Sequence, residues 1–275
     1  QNARADPEGV DRKYGRIWRV VYTGKDKGKP VMSRPNKDMD LAKLPSAELV
    51  KLLAHENVWQ RRMAQHVLTE RRDNTVMGLL QQLLKNGATL EARMAALWTL
   101  HTSGYLNDDV LYACAADREA IVRAWCARLI GERQVGSEQD VATLENLAKD
   151  SDPTVRLAVA TAVRQFTSGS LTVNTPPSKQ FEFGEIIPNL IESSRDGKDP
   201  LIPFMIWAAA EPLVAQAPEI AFKWTMDGAA KNMPLAGQLT QKLMRRVCDM
   251  GRPELLTKAT AVVGELQDQD TALTI

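Results

Sequence analysis

The chain has 275 residues, 44% of them apolar, which is enough for a continuous core built as one long domain or two shorter ones. Its 35 basic and 34 acidic residues leave a net charge of +1, so no global field draws it to nucleic acid or to an anionic membrane, and a dedicated polyanion binder is disfavoured. Aromatic residues make up 5%, strand-type runs are scarce, and no run approaches the ~18 apolar residues that would cross a bilayer.

In chain order, the polar segment 1–13 has no periodicity. Residues 14–22 (Tyr-Gly-Arg-Ile-Trp-Arg-Val-Val-Tyr) alternate as a strand would, and the Gly- and Lys-bearing stretch 23–30 closes it as a turn or loop. A lone strand has nothing to pair with in a helical chain. The extended segment 1–38 is therefore expected to be the end of a preceding domain, with docking on the end of the helical stack as the other reading. The chain starts at Gln1 without an initiator Met or a leader, so a processed product or a fragment of something longer is expected.

Residues 39–169 carry four copies of one pattern, aligned on Arg61, Arg93, Arg123 and Arg156 and spaced roughly 30 residues apart. Counting from each arginine, position +2 is Met63, Ala95, Trp125 and Ala158, position +3 is Ala64, Ala96, Cys126 and Val159, and position +7 is Leu68, Leu100, Ile130 and Val163. Position +6 mostly joins them, with Val67, Thr99, Leu129 and Ala162. These offsets place one apolar stripe on a helix of 3.6 residues per turn. A second stripe lies upstream, at Leu52, Leu84, Cys114 and Leu147 and at Leu49, Leu111 and Leu144, with Leu80 one residue out of step. Each copy is thus a helical hairpin, which cannot bury its apolar face alone, and the copies are expected to stack. The expected fold is all-α, a HEAT-like α-solenoid in which the hairpins form a right-handed superhelix behind the short N-terminal extended segment.

Local signals mark the helix ends. Pro45 and Ser46 mark the start of the first helix, with Ser46 as its expected N-cap. Asp73 and Asn74 break the chain before Val76, Asn86-Gly87 stops the next helix, and Asp152-Pro153 supplies an N-cap followed by proline at the first helical position. Residues 170–180 fall in a polar, Gly- and Pro-bearing stretch that reads as a surface insertion, with a binding loop as the sharper alternative. Residues 181–275 carry degenerate repeats and a C-terminal cap. Pro200, Pro203 and Pro212 delimit or kink a central helix there, Phe204, Trp207, Phe222 and Trp224 are expected in the core, and 268–275 is expected to fray.

No catalytic, cofactor-binding or metal-ligating residues are assigned. Cys114, Cys126 and Cys248 form no C-x-x-C pair, the first two fall on the apolar stripes, and His55, His66 and His101 bring no other ligand types to metal-site spacing. The aligned arginines admit two readings. A ladder of guanidinium groups could grip phosphate. The stronger reading is structural, with each arginine bonding to acidic or backbone groups of the inter-helix turns, where Glu56, Asp117, Asp150 and Asp152 lie.

Several stretches also resemble a known family. Gly15-Arg16-Ile17-Trp18-Arg19-Val20 looks like the last propeller strand of the large exported dehydrogenase-like proteins of planctomycetes and their relatives. The segment 40–50, the turn Asn57-Val58-Trp59-Gln60-Arg61 and the DP-x-IP-x-x-x-W stretch from Asp199 to Trp207 are similar to the region behind that propeller, so the resemblance covers roughly residues 14–270. It implies a non-catalytic HEAT-like scaffold that mediates protein–protein or inter-domain interaction, between a sugar-dehydrogenase-type propeller and a cytochrome c domain, in a protein exported to the periplasm or beyond. The chain itself would carry no cofactor, since C-x-x-C-H is absent from it. The alternative is that it forms part of a dehydrogenase or cytochrome c enzyme and contributes a substrate or electron-transfer interface. HEAT-like binding of nucleic acid ranks below both.

Overall fold

The computed structural model describes residues 39–133, 136–168, 185–192, 194–230 and 234–265. The expected strand at 14–22, the insertion at 170–180 and the tail at 268–275 lie outside them. The chain divides into two compact units, Gln1–Leu44 and Pro45–Ile275. Of the first, the described part is one 3-10 turn at Leu41–Lys43, capped by the Asp40 carboxylate, which accepts from the Ala42 N–H at 3.0 Å.

The second unit contains thirteen α-helices and no strand among the described residues. Four hairpins come first: α1 (Ser46–Leu52) with α2 (Val58–Arg71), α3 (Met77–Asn86) with α4 (Leu90–Thr102), α5 (Asp108–Ala113) with α6 (Ala120–Gly131), and α7 (Glu138–Leu147) with α8 (Pro153–Ser168). After them come α9 (Ile186–Glu192), α10 (Ile202–Gln216), α11 (Pro218–Ala230), α12 (Pro234–Met250) and α13 (Pro253–Glu265). The packing is serial and two-layered. Among first helices α1 touches α3, α7 touches α9, α9 touches α11 and α11 touches α13, while among second helices α2 meets α4 and α6, α8, α10 and α12 form a continuous row.

Short polar signals start the helices. Asn57, Thr89 and Asn107 each cap the following helix with a side-chain oxygen, and Ser137 and Asp140 form a reciprocal capping box at α7. The first helix departs from expectation. Its N-cap is Pro45, whose carbonyl accepts from the Glu48 and Leu49 N–H groups, and Ser46 is the first helical residue. Ser46 is buried and its hydroxyl lies 3.4 Å from Nη1 of Arg71, so the proline's preset backbone does the capping and the serine faces α2. At the head of α10 the Asp199 carboxylate accepts from both the Leu201 and Ile202 N–H groups, at 2.8 and 2.9 Å, and those two bonds hold its pKa below the usual range. The D-P-x-I-P run is thus a helix start, with Pro203 in the first turn where its missing N–H costs nothing. Pro212 lies inside α10 and cannot bond to the carbonyl of Ala208, and Nη1 of Arg164 on α8 donates to that oxygen at 2.9 Å.

The core follows the arginine-aligned pattern with one shift of phase. Positions +3, +6 and +7 are buried in all four copies, and Leu49, Leu80, Leu84, Leu111, Cys114, Leu144 and Leu147 are buried opposite them, whereas Leu52 is half-buried and Leu53 is buried beside it. Position +2 departs from expectation, since Met63, Trp125 and Ala158 are half-buried and only Ala95 is covered. The stripe instead takes in position −1, where Ala92, Val122 and Val155 are buried. Position −1 lies four residues, about one turn, before +3, whereas +2 sits ~100° around the helix at the margin of the face. In the C-terminal part Phe222 joins Val214, Leu243, Met244, Val247 and Leu255 in a buried cluster, with Trp207 and Trp224 packed against it. Phe204 does not belong to this core: it is 57% exposed, and the Lys242 ammonium stands 5.7 Å from its ring centroid.

Candidate interaction surface

Each aligned arginine opens the second helix of its hairpin. Nη1 of Arg61 donates to the carbonyls of His55 and Glu56, both at 2.8 Å. Arg123 reaches further: Nη1 donates to the carbonyls of Asp117 and Arg118, while Nε and Nη2 clamp the Asp150 carboxylate at 2.6 and 2.8 Å. Arg156 repeats that arrangement, with Nη1 on the Asp150 carbonyl and Nε and Nη2 on the Asp196 carboxylate. Arg93 is turned differently. Its Nε donates to the Leu84 carbonyl at 2.7 Å, Nη2 pairs with Asp117, and Nη1 is buried with no acceptor.

These bonds link the turns in sequence, from Arg93 through Asp117 to Arg123, through Asp150 to Arg156, and on to Asp196. Asp117 and Asp150 also hold their own turns, accepting from the N–H groups of Glu119 and Asp152 at 2.9 Å. Arg93, Arg156 and Asp196 are buried, and a buried charge is tolerated only when it is paired and hydrogen-bonded. The two-pronged pairing suits the planar guanidinium fork. For Asp150, burial raises the pKa, but the bonds from Arg123 and the Asp152 N–H outweigh it and the net shift is downward. Of the acidic residues near the turns, Glu56 contributes its main-chain carbonyl and Asp152 caps α8 through the Thr154 N–H. The repeat pattern does not single out Asp196, although Asp196-Gly197 is a turn signal.

The thiols and imidazoles are occupied by local structure. Burial pushes the Cys114 thiol up to about 11, with Asp117 adding to the effect and Arg93 opposing it, and burial pushes Cys126 higher still. Their Sγ atoms donate to the carbonyls of Val110 and Leu111. Cys248 is exposed. Nδ1 of His55 accepts from the Asn57 N–H, and His66 and His101 lie against Glu70 and Glu132. Among the described residues no three His, Cys, Asp or Glu side chains converge as metal ligands, and no helix is long and apolar enough to cross a membrane.

The second helices carry an aromatic and basic patch that the repeat pattern does not require. Trp98 on α4 and Trp125 on α6 pack edge to face, with ring centroids 5.3 Å apart and planes at 68°. The Arg128 guanidinium stands 4.7 Å from the Trp125 centroid, and Glu132 lies within 3.5 Å of both Arg128 and His101. Both tryptophans are half-buried, while Arg128, His101 and Glu132 are exposed. Tryptophan and arginine in this arrangement present large apolar area at little entropic cost, which is the composition of protein-binding hot spots. On the first-helix layer a cleft of about 480 Å³ opens between α3 and α5, and a second of about 330 Å³ between α1 and α3.

Residues 107–174, from the start of α5 through α8, match the family model described as HEAT repeats, so the chain contains a HEAT-like repeat region. Proteins built from such repeats generally mediate protein interactions. No curated protein matches the chain.

Proposed function

We propose that this chain is a non-catalytic HEAT-like scaffold that holds a protein partner, or a neighbouring domain of its own polypeptide, against the face of its second helices around Trp98, Trp125 and Arg128. The observation that carries this reading is the contrast between the arginines. Arg61 bonds to turn carbonyls, Arg93 to the Leu84 carbonyl and the Asp117 carboxylate, and Arg123 and Arg156 to turn carbonyls and a carboxylate of the next turn, so all four serve the stack. Arg128, which does not recur, lies exposed over Trp125, one ring of the tryptophan pair.

The resemblance across residues 14–270 extends the proposal: the scaffold works within a larger exported redox protein and joins a propeller to a cytochrome c domain. Intact mass and haem staining of the natural product test that extension. A product much larger than 30.5 kDa with covalent haem supports it, and a haem-free product of this size overturns it.

The scaffold reading itself is tested by photo-crosslinking in the producing cells. A crosslinker placed at position 128 is expected to capture a discrete polypeptide, or a flanking domain of the same one, and the capture is expected to fall when Trp125 is replaced by alanine. A crosslinker at the exposed Lys149, beyond the end of α7, is expected to capture neither. Equal labelling from both positions would overturn the assignment of the face.

A further inference from the structure

We propose that the row of second helices from α6 to α12 binds an extended acidic segment of a partner protein, whose carboxylates meet Arg128 at one end and Lys242 and Arg245 at the other. This names the partner's chemistry for the second-helix face and rests on that reading.

The first observation is the charge of the two layers, whose opposite signs the net charge of +1 hides. Arg123 and Arg156 are spent on the turns. Beyond them, α6, α8, α10 and α12 carry the cations Arg128, Arg164, Lys242, Arg245 and Arg246. Their anions are Glu211 and Asp249, with Glu132 one residue past the end of α6. In the other layer α5, α7 and α9 carry Asp108, Asp109, Glu138, Asp140, Glu145 and Glu192 and no lysine or arginine, and Arg133 from the loop after α6 pairs with two of them. An acidic chain is therefore steered to the second helices and repelled from the first.

The second observation is that one arrangement occurs on both sides of α8. On one side the Arg128 guanidinium stands 4.7 Å from the Trp125 centroid, and on the other the Lys242 ammonium of α12 stands 5.7 Å from the Phe204 ring of α10. Between them the face of α8 is low and uncharged. Ala158 and Thr161 hold the repeat positions of Trp125 and Arg128 and are half-buried, and Arg164 is turned to the Ala208 carbonyl of α10. Both aromatic rings carry one of the chain's own cations, which takes the place a stacked nucleobase would need. The cations keep their outer donors. Arg128 meets Glu132 through Nε alone, at 3.5 Å, Glu211 is paired with Arg246, and among the described residues Lys242 and Arg245 meet no carboxylate. Carboxylates are the acceptors that suit a guanidinium edge and an ammonium. Packed helices lie ~8–10 Å apart, so the row from α6 to α12 measures about 27 Å, which about eight extended residues span.

The test is fluorescence anisotropy with labelled peptides of about ten residues, alternating Glu-Ser, Gln-Ser or Lys-Ser, and a thymidine oligonucleotide of the same length, each titrated with the full chain to about 0.5 mM. At ~50 mM salt the Glu-Ser peptide is expected to bind with a Kd on the order of 0.1 mM, and to bind several-fold more weakly at ~200 mM. The Gln-Ser and Lys-Ser peptides are expected not to bind, and the oligonucleotide to bind at least ~10-fold more weakly than the Glu-Ser peptide. Arg128→Ala and Lys242→Ala should each weaken binding of the Glu-Ser peptide about 3-fold with an unchanged thermal midpoint, and Lys85→Ala on α3 should not weaken it. Thr161→Glu, which sets a carboxylate of the chain's own between the two cations, should abolish binding where Thr161→Gln retains it. Tighter binding of the oligonucleotide would overturn the proposal in favour of nucleic acid. Absence of binding by the Glu-Ser peptide, or binding indifferent to Arg128→Ala and Lys242→Ala, would overturn it as well. In each of these cases a photo-crosslink from position 128 that persists would leave the second-helix reading standing, and loss of that crosslink would remove both.

Discussion

Between the third and fourth hairpins the second helices meet at Gly131 and Ala162, whereas between the second and third they meet through the rings of Trp98 and Trp125. A Cβ added at Gly131 would lie 2.6 Å from the Ala162 Cα and would also strike the side-chain oxygen of Gln165. On the other layer the contrast is as sharp. Across the third joint, Tyr112 on α5 donates to Asp140 on α7 at 3.0 Å, and Arg133 bonds to both Asp140 and Asp108, at 3.1 and 2.5 Å, with its guanidinium 5.7 Å from the Tyr112 ring centroid. Across the second joint the corresponding space is the open cleft between α3 and α5. One repeat pattern, with an arginine in the same place, thus builds a closed joint and an open one. The side chains at the contacts decide which: small residues and a polar network close one, and two indoles with a short turn leave the other open. Unmet hydrogen-bonding capacity occurs at both joints, in Nη1 of Arg93 and Nε1 of Trp98 at the open one and in Oε1 of Gln165 at the closed one.

The sharpest way to break this comparison is to place a leucine at both joints. Gly131→Leu forces its side chain into the backbone of α8, and overpacking of this kind is expected to destabilise the fold by about 3 kcal/mol, more than any helix-propensity gain returns. Ala113→Leu projects into open space and is expected to change stability by no more than about 0.5 kcal/mol. Urea midpoints of the two variants decide it. Similar losses would mean that the cleft is closed in solution.

Much of this architecture is legible in the sequence. The spacing of Arg61, Arg93, Arg123 and Arg156 locates four second helices, and Asn57, Asn107 and Asp152 mark turns through the backbone groups they cap. Periodicity fails where burial depends on what lies across the joint. Trp125 occupies an apolar column yet stays half-buried because it meets Trp98 at the edge of the stack, and Phe204 lies on the outer side of α10. Ser46 misleads because a buried serine and a capping serine look alike beside a proline. Asp196 is hidden for a different reason, since its partner Arg156 is distant in sequence and the helical pattern lapses between them. The open cleft leaves no periodic trace, because it is a property of two helix faces that do not meet.

A smaller loss is expected from Asp140→Ala, which removes the capping box of α7 together with the acceptor shared by Tyr112 and Arg133. Loss of the cap and of one buried acceptor amounts to about 2 kcal/mol. Asp109→Ala, on the exposed wall of the open joint, is expected to be near neutral, and thermal unfolding of the pair measures the difference. Acid sharpens the same contrast. Because the folded pKa of Asp150 is depressed, its pairing with Arg123 contributes stability that is fully present above the unfolded carboxylate value of about 4 and is lost as pH falls through the folded value. Stability of the wild type should therefore fall as the pH is taken below about 4, the unfolded value. Arg123→Met, already weaker at neutral pH, should drop less over that range, and an equal drop would mean that Asp150 does not depend on Arg123.

The weakest effect separates a bonded tryptophan pair from two neighbours that merely share an edge. Edge-to-face rings at 5.3 Å are worth about 0.5–1.5 kcal/mol beyond the area they bury. A double-mutant cycle over Trp98→Ala and Trp125→Ala is expected to return a coupling in that range, measured from urea midpoints. Because Arg128 stacks on the outer face of Trp125, the cycle repeated in an Arg128→Ala background should return the same coupling: the cation touches one ring and leaves the ring-to-ring contact unchanged. A coupling below about 0.3 kcal/mol would fall within ordinary additivity. The indoles would then not hold the second joint together, and their place on the second-helix face would be explained by what they bind.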